Sequence, residues 1–275
     1  MSTFLLVSCF LTGRAAAQDA PPEAAPAPIS YPTLKLGGFS DIDFFATDRK
    51  AADPKSGFFE GQFTLHFTSQ LHKRVSFFGE VTATARANAF VVTVERAIIR
   101  WDGSDAFKLS FGRYHTPVNY WNTAFHHGQW LQTTVSRPEM AKFGGDFIPN
   151  HFVGGLVEGG IPAGGVNLHY AVGLGNGRAN DIHSAGDSGD SNNFRAWLVN
   201  VSVRPDAIYS LQAGGAYYRD KITLADNRNF DENLYSGYVV WLKEKPELIA
   251  EYAHIDHKDI ATGASYQNDA WYIQA

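Results

Sequence analysis

Between Gly57 and Ala87 the chain alternates. Phe59, Gly61, Phe63, Leu65, Phe67, Ser69 and Leu71 fall on one side of an extended backbone, and Glu60, Gln62, Thr64, His66, Thr68 and Gln70 on the other. A repeat of two marks a strand with one apolar and one polar face. After His72-Lys73-Arg74 the alternation restarts, with Val75, Phe77, Gly79, Val81, Ala83 and Ala85 opposite Ser76, Glu80, Thr82, Thr84 and Arg86. Such strands run about a dozen residues, whereas strands of soluble proteins usually run roughly 5–6. A tilted strand needs roughly 9–11 to cross a bilayer. The stretch therefore predicts a transmembrane β-hairpin, with lipid on one face and water on the other.

The same pattern recurs along the chain. Strands are expected near 35–47, 91–101, 106–114, 151–160, 166–174, 197–203, 209–217, 234–242 and 248–254, with another opening at Ala270. Short turns at His72, Asp102, Ile161, Arg204 and Lys243 alternate with longer polar connections, and only the link near Asn88 to Phe90 breaks the rule. Outer-membrane barrels have short periplasmic turns and long outer loops. Phe77, Trp101, Phe107, Tyr209 and Trp241 lie beside the short turns, where amphipathic rings would form an interfacial girdle. The fold class expected is all-β: an antiparallel transmembrane β-barrel. About 12 of roughly 16–18 strands would be present, the rest lying beyond Ala275. The alternative is a soluble exported β-sandwich whose aromatic rings fill its core.

Composition fits without deciding. The chain is 44% hydrophobic and 19% charged, with no apolar run long enough for a membrane-spanning helix. A net charge of -5 gives no sign of a nucleic-acid partner. Residues 1–17 read as a signal peptide, with an apolar core from Phe4 to Leu11 and small residues Ala15-Ala16-Ala17 at the cleavage point. Leu6-Val7-Ser8-Cys9 offers a lipobox as the alternative. Residues 18–33 form a Pro/Ala linker, and 34–275 the barrel. Cys9 is the sole cysteine, so no internal disulfide is possible.

The run Phe107 to Pro117 (FKLSFGRYHTP), the segment Val94-Glu95-Arg96-Ala97-Ile98-Ile99-Arg100-Trp101 and the Gly-rich strand at 151–160 resemble bacterial outer-membrane porins of the phosphate-selective O/P family. That resemblance implies a homotrimeric channel in outer-membrane lipid, passing small hydrophilic solutes or anions through a constriction lined by basic side chains. Those porins are rich in lumen lysines, whereas few lysines here have inward parity.

Inward parity selects Glu60, Glu80, Arg86, Arg96, Arg100 and Lys108 as pore-lining charges, with Arg113 at a strand end. Rings of charge set ion selectivity through the local field. Equally, these acids and bases could pair across the wall and only brace it. The connection 115–150 holds Pro117, Pro138 and Pro149 and has no clear period. If it folds inward, Arg137 and Lys142 narrow the channel.

No enzyme chemistry, metal or cofactor is expected. Gly186-Asp187-Ser188-Gly189 lacks an oxyanion framework, and no helix follows Gly173-x-Gly175-x-Gly177. His126-His127 and His254-x-x-His257 read as exposed loop histidines, and Asp181, Asp187 and Asp190 lack calcium-loop spacing. The competing activity is a lipid hydrolase on the barrel wall, but parity picks out no Ser–His pair for it.

Overall fold

A computed structural model describes residues 30–50, 56–86, 88–127, 137–184, 186, 189–243, 245 and 247–275. The expected signal peptide, most of the linker, and Asp187 and Ser188 lie outside the described residues. Twelve strands form one sheet in chain order, every neighbouring pair antiparallel. They are β1 (Lys35–Phe45), β2 (Gly57–His72), β3 (Val75–Arg86), β4 (Ala89–Ser104), β5 (Phe107–His115), β6 (His151–Ile161), β7 (Leu168–Asn176), β8 (Ala196–Val203), β9 (Leu211–Thr223), β10 (Asn229–Leu242), β11 (Glu247–Asp259) and β12 (Ser265–Gln274). No described helix is long and apolar enough to cross a membrane.

The sheet is inside-out relative to a soluble β-sandwich. On β2, Phe63 is 48% exposed while its neighbour Thr64 is fully buried and meets Thr82 of β3 at 3.1 Å. Phe111, Val172, Leu174, Val201 and Val239 are likewise exposed on their strands. A continuous apolar outer surface is what a bilayer covers. Trp101 and Phe107 meet edge to face beside the β4–β5 turn, and the Trp241 indole donates to the Tyr209 carbonyl near two other short turns.

Two sequence expectations need correction. The polar stretches after β9 and β11 are not long loops. β9 and β10 continue as a ladder to Thr223 and Asn229, and β11 and β12 to Lys258 and Ser265. Where both faces of a strand meet polar surroundings, the hydrophobic alternation vanishes while the backbone pairing persists. The inner face is not polar throughout either. Leu156, Leu198, Leu234 and Ile255 point inward and are buried against Val118, Met140, Phe147 and Ile148 of the β5–β6 connection.

That connection shows how strongly the sheet curves. It leaves β5 at Thr116-Pro117 and rejoins at Pro149-Asn150, and the prolines cannot extend the ladder beyond the His115–His151 pair. Its atoms then bond to strands far apart in the sheet. The Asn200 amide of β8 donates to the Pro117 carbonyl at 2.9 Å, and Ser236 of β10 to the Val118 carbonyl at 2.6 Å. Glu251 of β11 accepts from the Tyr120 and Trp121 amides. His127 meets Gln62 of β2 at 3.2 Å. One segment can touch both β2 and β11 only if the sheet wraps around it.

Candidate functional site at the inward connection

The wall holds the inward connection by its backbone. Helix α1 (Tyr120–Ala124) begins at Asn119, whose side chain accepts from the Asn122 amide at 3.1 Å. Glu251 takes the amides of Tyr120 at 3.2 Å and Trp121 at 2.8 Å, so the wall satisfies donors that a helix start leaves open. Burial raises the pKa of the Tyr120 phenol. The Asn122 side-chain amide donates to the carbonyls of Thr116 and Asn150, and the Asn150 side-chain amide to the Ala141 carbonyl. Arg137 stacks over Phe143 at 3.6 Å and donates to the carbonyls of His126 and Ala141. Its burial pushes its pKa down to about 9, which still leaves it cationic at neutral pH.

The connection divides the interior. A cavity of about 940 Å³ opens toward the long connections, and one of about 740 Å³ toward the short turns, with α1 residues in the lining of the second. Of the charges selected by sequence, Glu60, Arg86, Arg113, Arg137 and Lys142 line the larger cavity, together with further acids at Asp41 and Asp43. Glu80 and Arg96 lie deeper and bond at 2.6 Å. Arg100 pairs with Asp102 at 2.9 Å and approaches Glu158 at 3.8 Å; Lys108 sits opposite Glu158 in the β5–β6 ladder.

Parity misses the centre of this site. Strict alternation puts Glu95 on the lipid face, opposite in sense to Arg96. The register slips between β3 and β4: Glu80 opposes Arg96, but Val81 opposes Val94. Glu95 is the extra residue of a β-bulge, which turns its carboxylate inward, where it is 6% exposed. Nor are His126 and His127 exposed loop histidines, as the sequence suggested. They are 2% and 7% exposed and gather with His115 and His151 around Glu95.

From the Glu95 Oε2 atom, the Nε2 atoms of His151, His127 and His126 lie at 2.8, 3.5 and 3.9 Å. His115 Nε2 is 3.5 Å from Glu80, which also meets His66 at 2.9 Å. The His115 and His126 rings stack with centroids 3.5 Å apart. Burial, with His115 and Arg137 beside it, drives the His126 pKa well below the usual imidazole value, so that ring is neutral. Five of the ten histidines thus meet two buried carboxylates. The sequence signal was the span His115 to His151, which carries four of them around a Pro-framed connection.

No protein-family model and no curated protein matches the chain. Solved structures do. An anion-selective porin from Comamonas acidovorans superposes with a TM-score of 0.56 at 13% identity, covering 88% of this chain and 73% of that one. Salmonella typhi OmpF, solved with daunomycin, gives 0.51 at 14% identity, covering 87% and 72%. OmpT of Vibrio cholerae, described as an outer membrane protein, gives a looser 0.42 at 14% identity, covering 90% and 82%. The fold is that of an outer-membrane β-barrel. At this identity the likeness speaks for architecture alone.

Proposed function

We propose that the protein is a porin: a water-filled channel in the outer membrane through which small hydrophilic solutes diffuse without chemistry. The observation that carries this reading is the β5–β6 connection, held against the inner wall between two cavities. A wall that is apolar outside and polar or loop-covered inside serves no purpose in water and suits a lined passage through lipid. The proposal extends to a homotrimer and to the anion or phosphate preference implied by the likeness to O/P porins.

Selectivity would come from the larger cavity. Arg86, Arg113, Arg137 and Lys142 share its lining with Asp41, Asp43 and Glu60, giving a field of mixed sign rather than a ring of one sign. Arg96 and Arg100 spend their charge on Glu80 and Asp102 and contribute less. The test is reconstitution in planar bilayers. Stepwise ohmic conductance is expected, with chemical cross-linking giving a trimer. Purified, folded protein that leaves bilayers sealed would refute the channel.

A further inference from the structure

The histidine cluster carries more acceptors than its hydrogen bonds use. Among the described residues, the Nε2 atoms of His115, His126 and His127 are buried with no hydrogen-bond partner. For His126 the tautomer follows from its neighbours. The Asn122 amide nitrogen donates to two carbonyls, so its oxygen must accept from His126 Nδ1, at 3.0 Å. Nε2 is left without a hydrogen-bond partner, and it faces the Glu95 carboxylate. His127 lies beside it, with Nδ1 3.2 Å from the Gln62 oxygen and Nε2 3.5 Å from Glu95. Buried polar atoms crowded together without hydrogen bonds are unfavourable unless something such as a cation lies between them.

We propose that Glu95, His115, His126 and His151 bind a divalent transition-metal ion of the zinc class inside the barrel. Their four ligand atoms lie within 4.8 Å of one another. Tetrahedral coordination with bonds near 2.0–2.1 Å needs ligand atoms about 3.3 Å apart. The contacts of 2.8 and 3.9 Å from Glu95 to His151 and His126 bracket that spacing. Three imidazoles and one carboxylate suit a borderline ion rather than calcium or magnesium. Asn122 supplies the outer hydrogen bond that orients a metal-binding histidine.

His151 changes tautomer on binding. Arg113 can only donate, and its Nη2 lies 2.9 Å from His151 Nδ1, so Nε2 now holds the proton. The ion takes the Nε2 position and the proton moves to Nδ1. Arg113 turns from that nitrogen and keeps its 3.1 Å bond from Nε to the Glu95 carbonyl. Glu80, with His115 and His127, forms a second group of possible ligands. Glu80 is already committed to Arg96 and His66, so the Glu95 group is the site.

The experiment reads metal, not conductance, so its outcome is separate from that of the channel reading. Full-length protein in detergent is stripped with a chelator, reloaded with Zn²⁺, freed of excess by gel filtration and assayed for metal. One ion per chain is expected, and Co²⁺ in its place should show the ligand-field bands of a nitrogen-rich tetrahedral site. Glu95→Gln and His126→Ala should each weaken Zn²⁺ binding by about 100-fold or more, beyond what losing an outer partner costs. His183→Ala and His254→Ala, at histidines outside the cluster, should change nothing. Folding of each variant is checked by the mobility of unheated samples on gels. Where a variant fails that check, X-ray absorption of zinc-loaded wild type decides, with three imidazoles and one oxygen expected. No retained zinc, undiminished binding in both site variants, or an all-oxygen shell would overturn the proposal.

Discussion

Two buried polar centres sit inside this barrel, and they are built on opposite principles. Around Arg178 every donor is spent. Its Nε bonds Glu232 at 2.8 Å, Nη1 reaches the carbonyls of Ile182 and Ser184, and Nη2 those of Asp146 and Phe147. Its amide meets Asp220 at 2.8 Å, and Gly177 leaves room for that approach, since a Cβ there would fall 1.9 Å from the Asp220 carboxylate. His257 closes on Glu232 at 2.6 Å. This knot ties the β7–β8 connection to the end of the inward one. Around Glu95, by contrast, imidazole nitrogens face one another and a carboxylate with lone pairs to spare. A saturated network holds a shape; an unsaturated one is prepared for something to arrive.

The sharpest way to break this contrast is at Arg178. Arg178→Met leaves Glu232 buried beside His257 alone and frees four backbone carbonyls. A loss of roughly 3–5 kcal/mol is expected, read as a fall in the denaturant midpoint of the detergent-solubilised protein. A change under about 1 kcal/mol would mean that the knot is not the fastener its bonds suggest.

Next in size is the effect of an ion on the other centre. At a free zinc concentration 100 times the dissociation constant, wild type should gain about 2.7 kcal/mol of stability. Glu95→Gln should gain almost nothing from zinc. Equal zinc stabilisation of wild type and variant would erase the distinction between the two centres.

Smaller again is the anchor of α1. Glu251→Ala removes the acceptor for two amides and for the Tyr272 hydroxyl, at a cost of about 1–3 kcal/mol. Its stronger signature should be electrical. With α1 released, single-channel records should become noisier and the mean conductance should change. A quiet channel of unchanged conductance would show that the wall bond does not hold the constriction.

How much of this was legible follows from what each signal depends on. Alternation from Phe59 to Leu71 was visible because one face meets lipid and the other does not. Arg219, Asp220, Asp231 and Glu232 look like loop in sequence because that contrast is gone where they lie, although their ladder continues. Leu198 and Leu234 could not be recognised as inward core, since what covers them is distant in sequence. Glu95 was hidden by one inserted residue, which reverses the face of every later position. His115 and His151 pair only because the chain leaves and returns at the same height on the wall, and spacing does not encode that.

The smallest effect on stability should fall at Lys142, and it separates the lining from both centres. Lys142 lies in the larger cavity with its side chain 60% exposed, 3.5 Å from the equally open Glu139. An exposed pair of this kind contributes about 0–1 kcal/mol, so Lys142→Ala should leave unfolding within about 0.5 kcal/mol of wild type. Its charge is nonetheless felt by ions crossing the cavity, where low-dielectric walls concentrate the field. Reversal potentials under a salt gradient should move toward cations, further with Arg86→Ala added, and the shift should fade in high salt as screening shortens. An unmoved reversal potential in the double variant would place the selectivity elsewhere in the lumen. A large loss of stability would mean that Lys142 braces the connection, as Arg178 does, rather than facing the solute.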